Sequence, residues 1–410
     1  MRYCLIGERL SHSYSVEIHK KRGVEYELKE VPRENLAEFL KEDYDGFNVT
    51  IPYKKDIIPY LDGVDKTAEK IGAVNTVVRR DGKHYGYNTD ITGMRYAITR
   101  KGISLTDSNV MILGSGGAAC TAIALCKEEG AKSVVTVSRN GEINYDNCYD
   151  LKDTEIIINA TPVGMFPDIG VSPVDLSRFP NLKGVFDCVY NPFNTALILQ
   201  AKKLGIKCSD GLSMLVKQAV EAQKIWGITN DKDDTEDIIN GLYLDKLNIV
   251  LVGMPSSGKT AVGKLVAAIT GKKFIDTDAE IYKKTGKTPA EIIETCGEKA
   301  FRDVETGTIK SVVKVSGQVI ATGGGAVVKA DNVCALKANG VLFYIKRDLS
   351  LLTSENRPLS AGVGIARLYE ERKALYERAA DFSVENNGKI NDTAENIAQT
   401  FSAICYNPKL

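Results

Sequence analysis

Eight consecutive residues, Gly253-Met254-Pro255-Ser256-Ser257-Gly258-Lys259-Thr260, satisfy the pattern G-x-x-x-x-G-K-[ST] in full. They follow the apolar run 247–252 and open a helix-like stretch at 261–268, the strand–loop–helix setting that the motif requires. Glycines in such a loop let backbone N–H groups turn inward around phosphate oxygens, and the helix start adds the positive end of its dipole. Gly253, Ser256, Ser257 and Gly258 form the cradle, Lys259 reaches the β- and γ-phosphates, and Thr260 holds Mg²⁺ through its hydroxyl. ATP is the expected ligand. A chance match is rare at average composition, and the flanking elements make it rarer.

Asp276-Thr277-Asp278 closes the next strand-like run. One carboxylate is placed to reach the Mg²⁺ shell and the other a substrate hydroxyl, although Asp also caps helices and both roles are compatible. Further on stand Arg302, the triplet Gly323-Gly324-Gly325, Asn356-Arg357-Pro358-Leu359 and Arg372. Converging arginines suit a carboxylate or a transferring phosphoryl group. Taken singly, Arg302 and Arg372 read better as salt-bridged residues of a helix surface. Three glycines in a row permit close backbone approach to a ring.

Upstream, the strand-like run 110–113 enters Gly114-Ser115-Gly116-Gly117-Ala118-Ala119, then a helix-like run and the strand-like run 133–137. That is a βαβ unit with a dinucleotide-type first turn, though a tight turn without ligand has the same look. After the second strand an NAD site wants an acid for the ribose 2′-OH. Ser138-Arg139-Asn140 stands there instead. A guanidinium pairs with a 2′-phosphate that a carboxylate would repel, so NADP is expected. Ahead of this unit lie Ser13-Tyr14-Ser15, the stretch 48–54 (NVTIPYK), Asn75-Thr76 and Asn88-Thr89-Asp90. Hydroxyls, carboxamides, a lysine and an acid suit a small polyhydroxylated molecule. Reduction of a ketone needs a proton as hydride arrives, and Lys54 with Asp90 can supply it as a pair. Taken singly, each cluster reads better as turn and cap chemistry than as a site.

Strand-like and helix-like runs alternate through all 410 residues, which predicts α/β architecture with parallel sheets and two or three domains. A hairpin is expected around Asp81-Gly82, and a helix is expected to start at Pro52. The polar stretch 229–236 precedes a last helix of the first half, which puts the junction near 244–247. The 53 basic and 53 acidic residues cancel, so neither nucleic acid nor an anionic membrane is an expected partner. No apolar run approaches the length of a membrane-spanning helix. Residues 1–7 start as a strand rather than as the core of an export signal, and the nine cysteines lack paired spacing. Reduced thiols and a cytoplasmic location are expected. Three histidines, His12, His19 and His84, do not make a zinc site of ordinary spacing.

Ser13-Tyr14-Ser15 between His12 and His19, the stretches 48–54, 72–76 and 88–90, Asn159-Ala-Thr-Pro-Val-Gly164-Met165 and 211–218 (GLSMLVKQ) occur in one order. In that order they resemble shikimate dehydrogenase, over residues 1 to about 245. The resemblance implies that Ser13, Ser15, Thr50, Lys54, Asn75, Asp90, Tyr190 and Gln218 line a shikimate site. It implies NADP on 114–119, Ser138, Arg139, Asn140 and Gly211. The implied domains are a substrate domain at 1–98, completed by helices at about 219–245, and a Rossmann-type domain at 99–218. Two departures stand out: Ser138-Arg139-Asn140 where the family often has Asn-Arg-Thr, with no second basic residue before Lys152, and Val16 in place of a frequent proline.

Residues 247–404 resemble shikimate kinase in the same ordered way. Carried over by position, Asp278, Arg302, Arg372 and Gly323–Gly325 hold shikimate, with Asp278 orienting or deprotonating the acceptor hydroxyl. Asp276 and Thr260 serve Mg²⁺, Lys259 is catalytic, and Arg357 sits on a short lid over the phosphates. The P-loop kinase domain is then 246–410, with a parallel sheet. Together the resemblances imply reduction of 3-dehydroshikimate to shikimate with NADPH, then phosphorylation of shikimate to 3-phosphoshikimate with MgATP, on a monomer or a homodimer. A sensor built from degenerate copies should have lost Lys54, Lys259 or Asp276, and all three are present. Quinate oxidation with NAD is disfavoured by the missing acid at 138–140.

Overall fold

The computed structural model describes residues 1–10, 13–228, 233–352 and 364–406. The chain divides into two compact units, Met1–Met165 with Val171–Ile239, and Asn240–Leu410 with the short segment Phe166–Gly170.

The first unit begins with β1 (Tyr3–Gly7), α1 (Ser15–Lys21), β2 (Tyr26–Glu30), α2 (Leu36–Phe39), β3 (Gly46–Val49), β4 (Gly63–Val64) and α3 (Lys66–Ile71). The hairpin β5 (Thr76–Arg80) and β6 (Lys83–Tyr87) follows, then α4 (Asp90–Arg100). These strands form a six-stranded sheet in the order β2-β1-β3-β5-β6-β4. It is mixed: β3–β5 and β5–β6 run antiparallel, so the expected hairpin breaks the expected parallel sheet. Pro52 opens no helix; residues 51–57 form successive turns, and the Ile51–Pro52 peptide is cis.

A five-stranded parallel sheet follows, in the order β11-β10-β9-β7-β8. It comprises β7 (Asn109–Leu113), β8 (Ser133–Val137), β9 (Ile156–Asn159), β10 (Gly184–Asp187) and β11 (Lys207–Ser209), with α5 (Gly117–Glu128) and α6 (Ala196–Lys203) in the crossovers. β7 has β8 on one side and β9 on the other, so the turn after β7 opens at the point where strand order reverses, the usual ligand crevice of such sheets. One face packs Ile112, Leu125 and Ile158, and the other Met111, Ile157 and Val185. Such strands, apolar on both sides, are what a sheet covered on two faces requires.

α7 (Leu212–Ile225) packs on α4. Gly93 makes this possible, since a Cβ there would lie 2.5 Å from the Met214 carbonyl. After α7 the chain returns to the first sheet. Trp226 stacks on Tyr3, and its indole N–H donates to the Val77 carbonyl at 2.9 Å. α8 (Thr235–Lys246) follows.

The second unit has a five-stranded parallel sheet, β13-β14-β12-β15-β16. Its strands are β12 (Asn248–Val252), β13 (Lys273–Asp276), β14 (Gln318–Ala321), β15 (Gly340–Lys346) and β16 (Phe382–Glu385). Its helices are α9 (Lys259–Thr270), α10 (Thr277–Thr285), α11 (Pro289–Val312), α12 (Ala330–Ala338), α13 (Ile365–Ala379) and α14 (Ile390–Cys405). α11 starts with Thr288 and Glu291 bonding reciprocally as a capping box, Pro289 at its first position. Gly297, at φ +85°, kinks it where two helices are expected from the sequence. β12 lies between β14 and β15, so its following loop again sits at a reversal of strand order.

Candidate active sites

In the first unit, Lys54 stands on the turns after β3, and Asp90 is the first residue of α4. Lys54 Nζ lies 2.6 Å from Asp90 Oδ2, with the two side chains 15% and 6% exposed. The other Asp90 oxygen accepts from Asn75 Nδ2 at 2.9 Å. The same amide nitrogen lies 3.0 Å from Thr89 Oγ1 and 3.2 Å from Gln218 Oε1. Asn75 Oδ1 in turn accepts from the Thr89 backbone N–H at 2.7 Å. The network continues through Thr76 to Asn48, whose Oδ1 accepts from the Tyr26 hydroxyl at 2.7 Å. Lys54, Asn75, Asp90 and Gln218, far apart in sequence, are thus brought together. Asn48, Thr76 and Thr89 belong with them, each within one of the polar clusters of the sequence though outside the set that the resemblance implies.

Ser13 and Ser15 share a hydroxyl–hydroxyl bond of 3.0 Å. The ring of Tyr190 lies 5.3 Å from that of Tyr14. Burial pushes the Tyr190 phenol up to about 12, Tyr14 adds to the effect, and a hydrogen bond with Ser13 opposes it. Tyr190 therefore stays protonated and available as a donor at neutral pH. Thr50 opens the turns that carry Lys54, beside the end of β1. His12 lies outside the described residues.

The dinucleotide-type turn meets this cluster. A Cβ at Gly117 would lie 3.2 Å from the Lys54 stem, so the lysine crosses the start of α5. Gly114 has φ +111°, with the Ala160 carbonyl 3.1 Å from a would-be Cβ. Gly116 faces open space and caps α5 with no side-chain bond, while Ser115 beside it is exposed. Ala118 and Ala119 continue the first turn of the helix, Ala119 buried. The first N–H groups of α5 are thus left for an external acceptor. At the end of β8, Ser138, Arg139 and Asn140 form a turn closed by Ser138 N–H to the Ile143 carbonyl, 3.1 Å. Arg139 is exposed and makes no hydrogen bond or ion pair among the described residues. An uncapped helix start and an unpaired guanidinium fit a dinucleotide with a 2′-phosphate. Gly211 is a point of close contact: a Cβ there would sit 2.2 Å from the Cys188 carbonyl, on the segment that leads to Tyr190.

That segment starts at Asp187, a buried residue absent from the expected set. Its carboxylate accepts from Asn159 Nδ2 (2.9 Å), Val189 N–H (3.0 Å) and Thr195 Oγ1 (2.6 Å). Burial pushes it up to about 7 against those bonds.

In the second unit, the loop after β12 uses three left-handed residues, Gly253 (φ +147°), Ser256 (φ +64°) and Gly258 (φ +92°). A Cβ at Gly253 would meet the Ile345 carbonyl at 2.6 Å, and one at Gly258 would meet Asn386 Nδ2 at 2.4 Å. Lys259 Nζ donates to the Gly253 and Met254 carbonyls at 2.9 and 2.8 Å, folding over the loop. Ser257 is fully buried, and its Oγ has no partner. The tight cradle, the buried lysine and the orphaned hydroxyl fit a nucleoside polyphosphate.

Thr260 Oγ1 donates to Asp276 Oδ2 at 2.8 Å, and the other Asp276 oxygen caps α10 through the Asp278 N–H at 3.0 Å. Only Asp276 ends the strand. Asp278 falls in the first turn of α10, because that cap turns the chain between them. A hydroxyl and a carboxylate beside a phosphate loop are hard oxygen ligands that fit Mg²⁺.

Gly323–Gly325 is the hub of the remaining set. A Cβ at Gly323 would lie 2.7 Å from Asp278 Oδ1, one at Gly324 2.7 Å from Pro255, and one at Gly325 2.1 Å from Arg302 NH1. Arg372 NH1 donates to the Gly324 carbonyl at 3.1 Å, and the Tyr376 hydroxyl donates to the same oxygen. Arg302 pairs with Glu305 at 2.8 Å and Glu298 at 3.0 Å, and is buried rather than on a helix surface. Asp278, Arg302, Arg372 and the glycines therefore converge beside the P-loop. Arg357 lies outside the described residues.

Fold and site geometry together define a dinucleotide-type reductase joined to a P-loop small-molecule kinase on one chain. Residues 5–77 match the model of the shikimate dehydrogenase substrate binding domain, and residues 255–402 match that of shikimate kinase. The chain is 39% identical over 246 residues to a shikimate dehydrogenase (NADP(+)) of Clostridium beijerinckii, covering 55% of this chain and 91% of that protein. It is also 39% identical over 275 residues to the one of Methanocaldococcus jannaschii, covering 59% and 96%. Among solved structures, shikimate dehydrogenase 1 of Peptoclostridium difficile superposes with a TM-score of 0.56 at 35% identity, covering 59% of this chain and 98% of that one. A chorismate mutase/shikimate 5-dehydrogenase fusion protein of Clostridium acetobutylicum does so with 0.55 at 37% identity, covering 58% and 96%. The chain belongs to the shikimate dehydrogenase family through its first part and carries a shikimate kinase domain after it.

Proposed function

We infer that the chain is a bifunctional enzyme: it reduces 3-dehydroshikimate to shikimate with NADPH, then phosphorylates shikimate to 3-phosphoshikimate with MgATP. The observation that carries this reading is the Lys54–Asp90 pair set against the Gly117 turn, on a chain that also bears a complete P-loop. In the first unit NADPH, on the turn 114–119 and Arg139, supplies the hydride. Lys54 Nζ delivers the proton to the ketone oxygen, and Asp90, 2.6 Å away, aims it. Asn75 holds Asp90 and is itself met by Gln218, and both offer amide groups to ring hydroxyls, while Ser13, Ser15, Thr50 and Tyr190 line the rest of the pocket.

In the second unit MgATP supplies the phosphoryl group, with Thr260 and Asp276 holding the metal and Lys259 the phosphates. Asp278 orients the acceptor hydroxyl and takes its proton. Arg302 and Arg372 hold the ring carboxylate, each a fixed fork of donors. The domains follow as substrate-binding 1–98 with 219–245, dinucleotide-binding 99–218 and kinase 246–410. Nine free thiols are in keeping with a cytoplasmic enzyme.

The test supplies 3-dehydroshikimate, NADPH, ATP and Mg²⁺ and identifies products by mass. The reading expects 3-phosphoshikimate from the full mixture, shikimate alone when ATP is omitted, and no ring product without NADPH. Unconverted 3-dehydroshikimate in the full mixture refutes it.

A further inference from the structure

Arg347 is the residue after β15, and no hydrogen bond or ion pair among the described residues explains its place in the kinase unit. Its Nε is buried with no hydrogen-bond partner, and among the described residues its guanidinium forms no ion pair. A buried polar nitrogen left unpaired is costly, and more so when it carries charge. Its position is well defined. The Ile345 carbonyl, two residues back, lies 2.6 Å from a would-be Cβ at Gly253. The Asn386 N–H donates to the Lys346 carbonyl at 2.8 Å, and Asn386 Nδ2 donates to the Ser257 carbonyl at 2.8 Å. These contacts tie the end of β15 to the P-loop. Arg347 NH1 then lies 3.6 Å from a would-be Cβ at Gly258, the residue that opens α9. Ser257 Oγ, the second orphaned polar atom here, sits on a residue with no exposed surface.

Strand order fixes which end of a polyphosphate this guanidinium faces. The Thr260–Asp276 pair belongs to the β13 side of β12, and Arg347 leaves β15 on the opposite side. The phosphoryl group in transfer lies with the metal pair. The part remote from it is the diphosphate that remains with the nucleoside. We propose that Arg347 is a nucleotide-binding residue of the kinase unit, closing on the diphosphate portion of the bound nucleotide. This rests on the kinase reading above and adds a phosphate ligand outside the P-loop motif.

Titration calorimetry of the full chain with ADP and with ATP, without shikimate, tests it. Arg347→Gln should weaken both nucleotides about tenfold, the loss expected for one charge-assisted hydrogen bond. Arg347→Lys should recover part of that loss. In kinase assays KM for ATP should rise, with kcat and KM for shikimate little changed. Unchanged ADP affinity overturns the proposal, as does weakening of ATP alone. A second measurement needs no variant. An arginine-selective dicarbonyl reagent should modify Arg347 in the wild-type chain, and ADP should protect it; equal modification with and without ADP overturns the proposal. A wild-type chain that binds neither nucleotide removes the kinase reading itself, and this proposal with it.

Discussion

The two sites differ in how their polar atoms are satisfied. In the first unit Lys54, Asn75, Thr76, Thr89, Asp90 and Gln218 bond to one another, and none leaves a buried polar atom unpaired. In the second unit two donors, Ser257 Oγ and Arg347 Nε, are buried without partners. The difference follows from what each site handles. A ketone reduced in place needs one proton donor held at one point, and a closed network holds it there before the substrate arrives. A polyphosphate brings several acceptor oxygens, so its site gains by keeping donors unspent. Glycine usage follows the same division. Gly117 lets one lysine stem cross a helix start, whereas Gly323, Gly324 and Gly325 each admit a different neighbour, Asp278, Pro255 and Arg302.

The largest expected effect separates the two sites. Lys54→Ala should lower dehydroshikimate reduction by about 10²- to 10⁴-fold, as loss of a general acid does, and leave shikimate phosphorylation at its wild-type rate. Lys259→Ala should do the reverse, with a kinase loss of about 10²- to 10³-fold. Separate assays of each variant check this, and loss of both activities from one change breaks the comparison.

Next in size is Gly325→Ala. The added methyl lands 2.1 Å from Arg302 NH1 and must displace it. Moving that guanidinium takes a charge-assisted donor from the shikimate site, so kcat/KM for shikimate phosphorylation should fall about ten- to 150-fold. ADP affinity should hold, which calorimetry can show.

A smaller effect is expected at Arg139. The residue is exposed and solvent screens its charge, so Arg139→Gln should raise KM for NADPH only about fivefold, within the range of an exposed ion pair. KM for NADH should stay put. An equal change for both cofactors would remove the 2′-phosphate assignment.

The last concerns stability rather than activity. His19 is fully buried, stacked on Tyr26 at 3.9 Å and bonded to Gln223, and burial lowers it to about 3 from an ordinary 6.5. A base depressed in the fold lends stability that is present above its unfolded value and lost as pH falls below it. Between pH 6.5 and 3 the first unit should lose stability by up to about 1.4 kcal/mol per pH unit from this residue. Melting curves against pH should show that slope in the wild type and a shallower one in His19→Gln. Equal slopes would mean His19 does not titrate in this range.

Much of this was legible in the chain. The P-loop stood complete in eight residues because all of its members, backbone and side chain alike, act from one contiguous loop. Lys54 and Asp90 were legible only through the ordered set of clusters that resembles shikimate dehydrogenase, since each cluster singly reads as turn and cap chemistry. What escaped depends on tertiary contact. α4 went unread because Ile91, Thr92, Gly93 and Thr99 are poor helix formers; it is held by packing on α7. Pro52 looked like a helix start, yet the chain turns there to bring Lys54 toward Asp90. Taken singly Arg302 reads as a surface residue, and only the resemblance places it at the site; the fold shows it buried against Glu305 and the glycine triplet. Arg347, Asn386 and Asp187 carry no local signal. Their roles come from strand ends that meet only in the folded sheets.

The central claim is that one chain holds two distinct pockets for the same ring acid. Equilibrium binding of shikimate to the full chain, with NADP⁺ and Mg-ADP present, counts those pockets. The account predicts two molecules of shikimate per chain at saturation, one lost on Asn75→Ala and the other on Arg372→Ala. A single molecule per chain, or one substitution abolishing all binding, would contradict it.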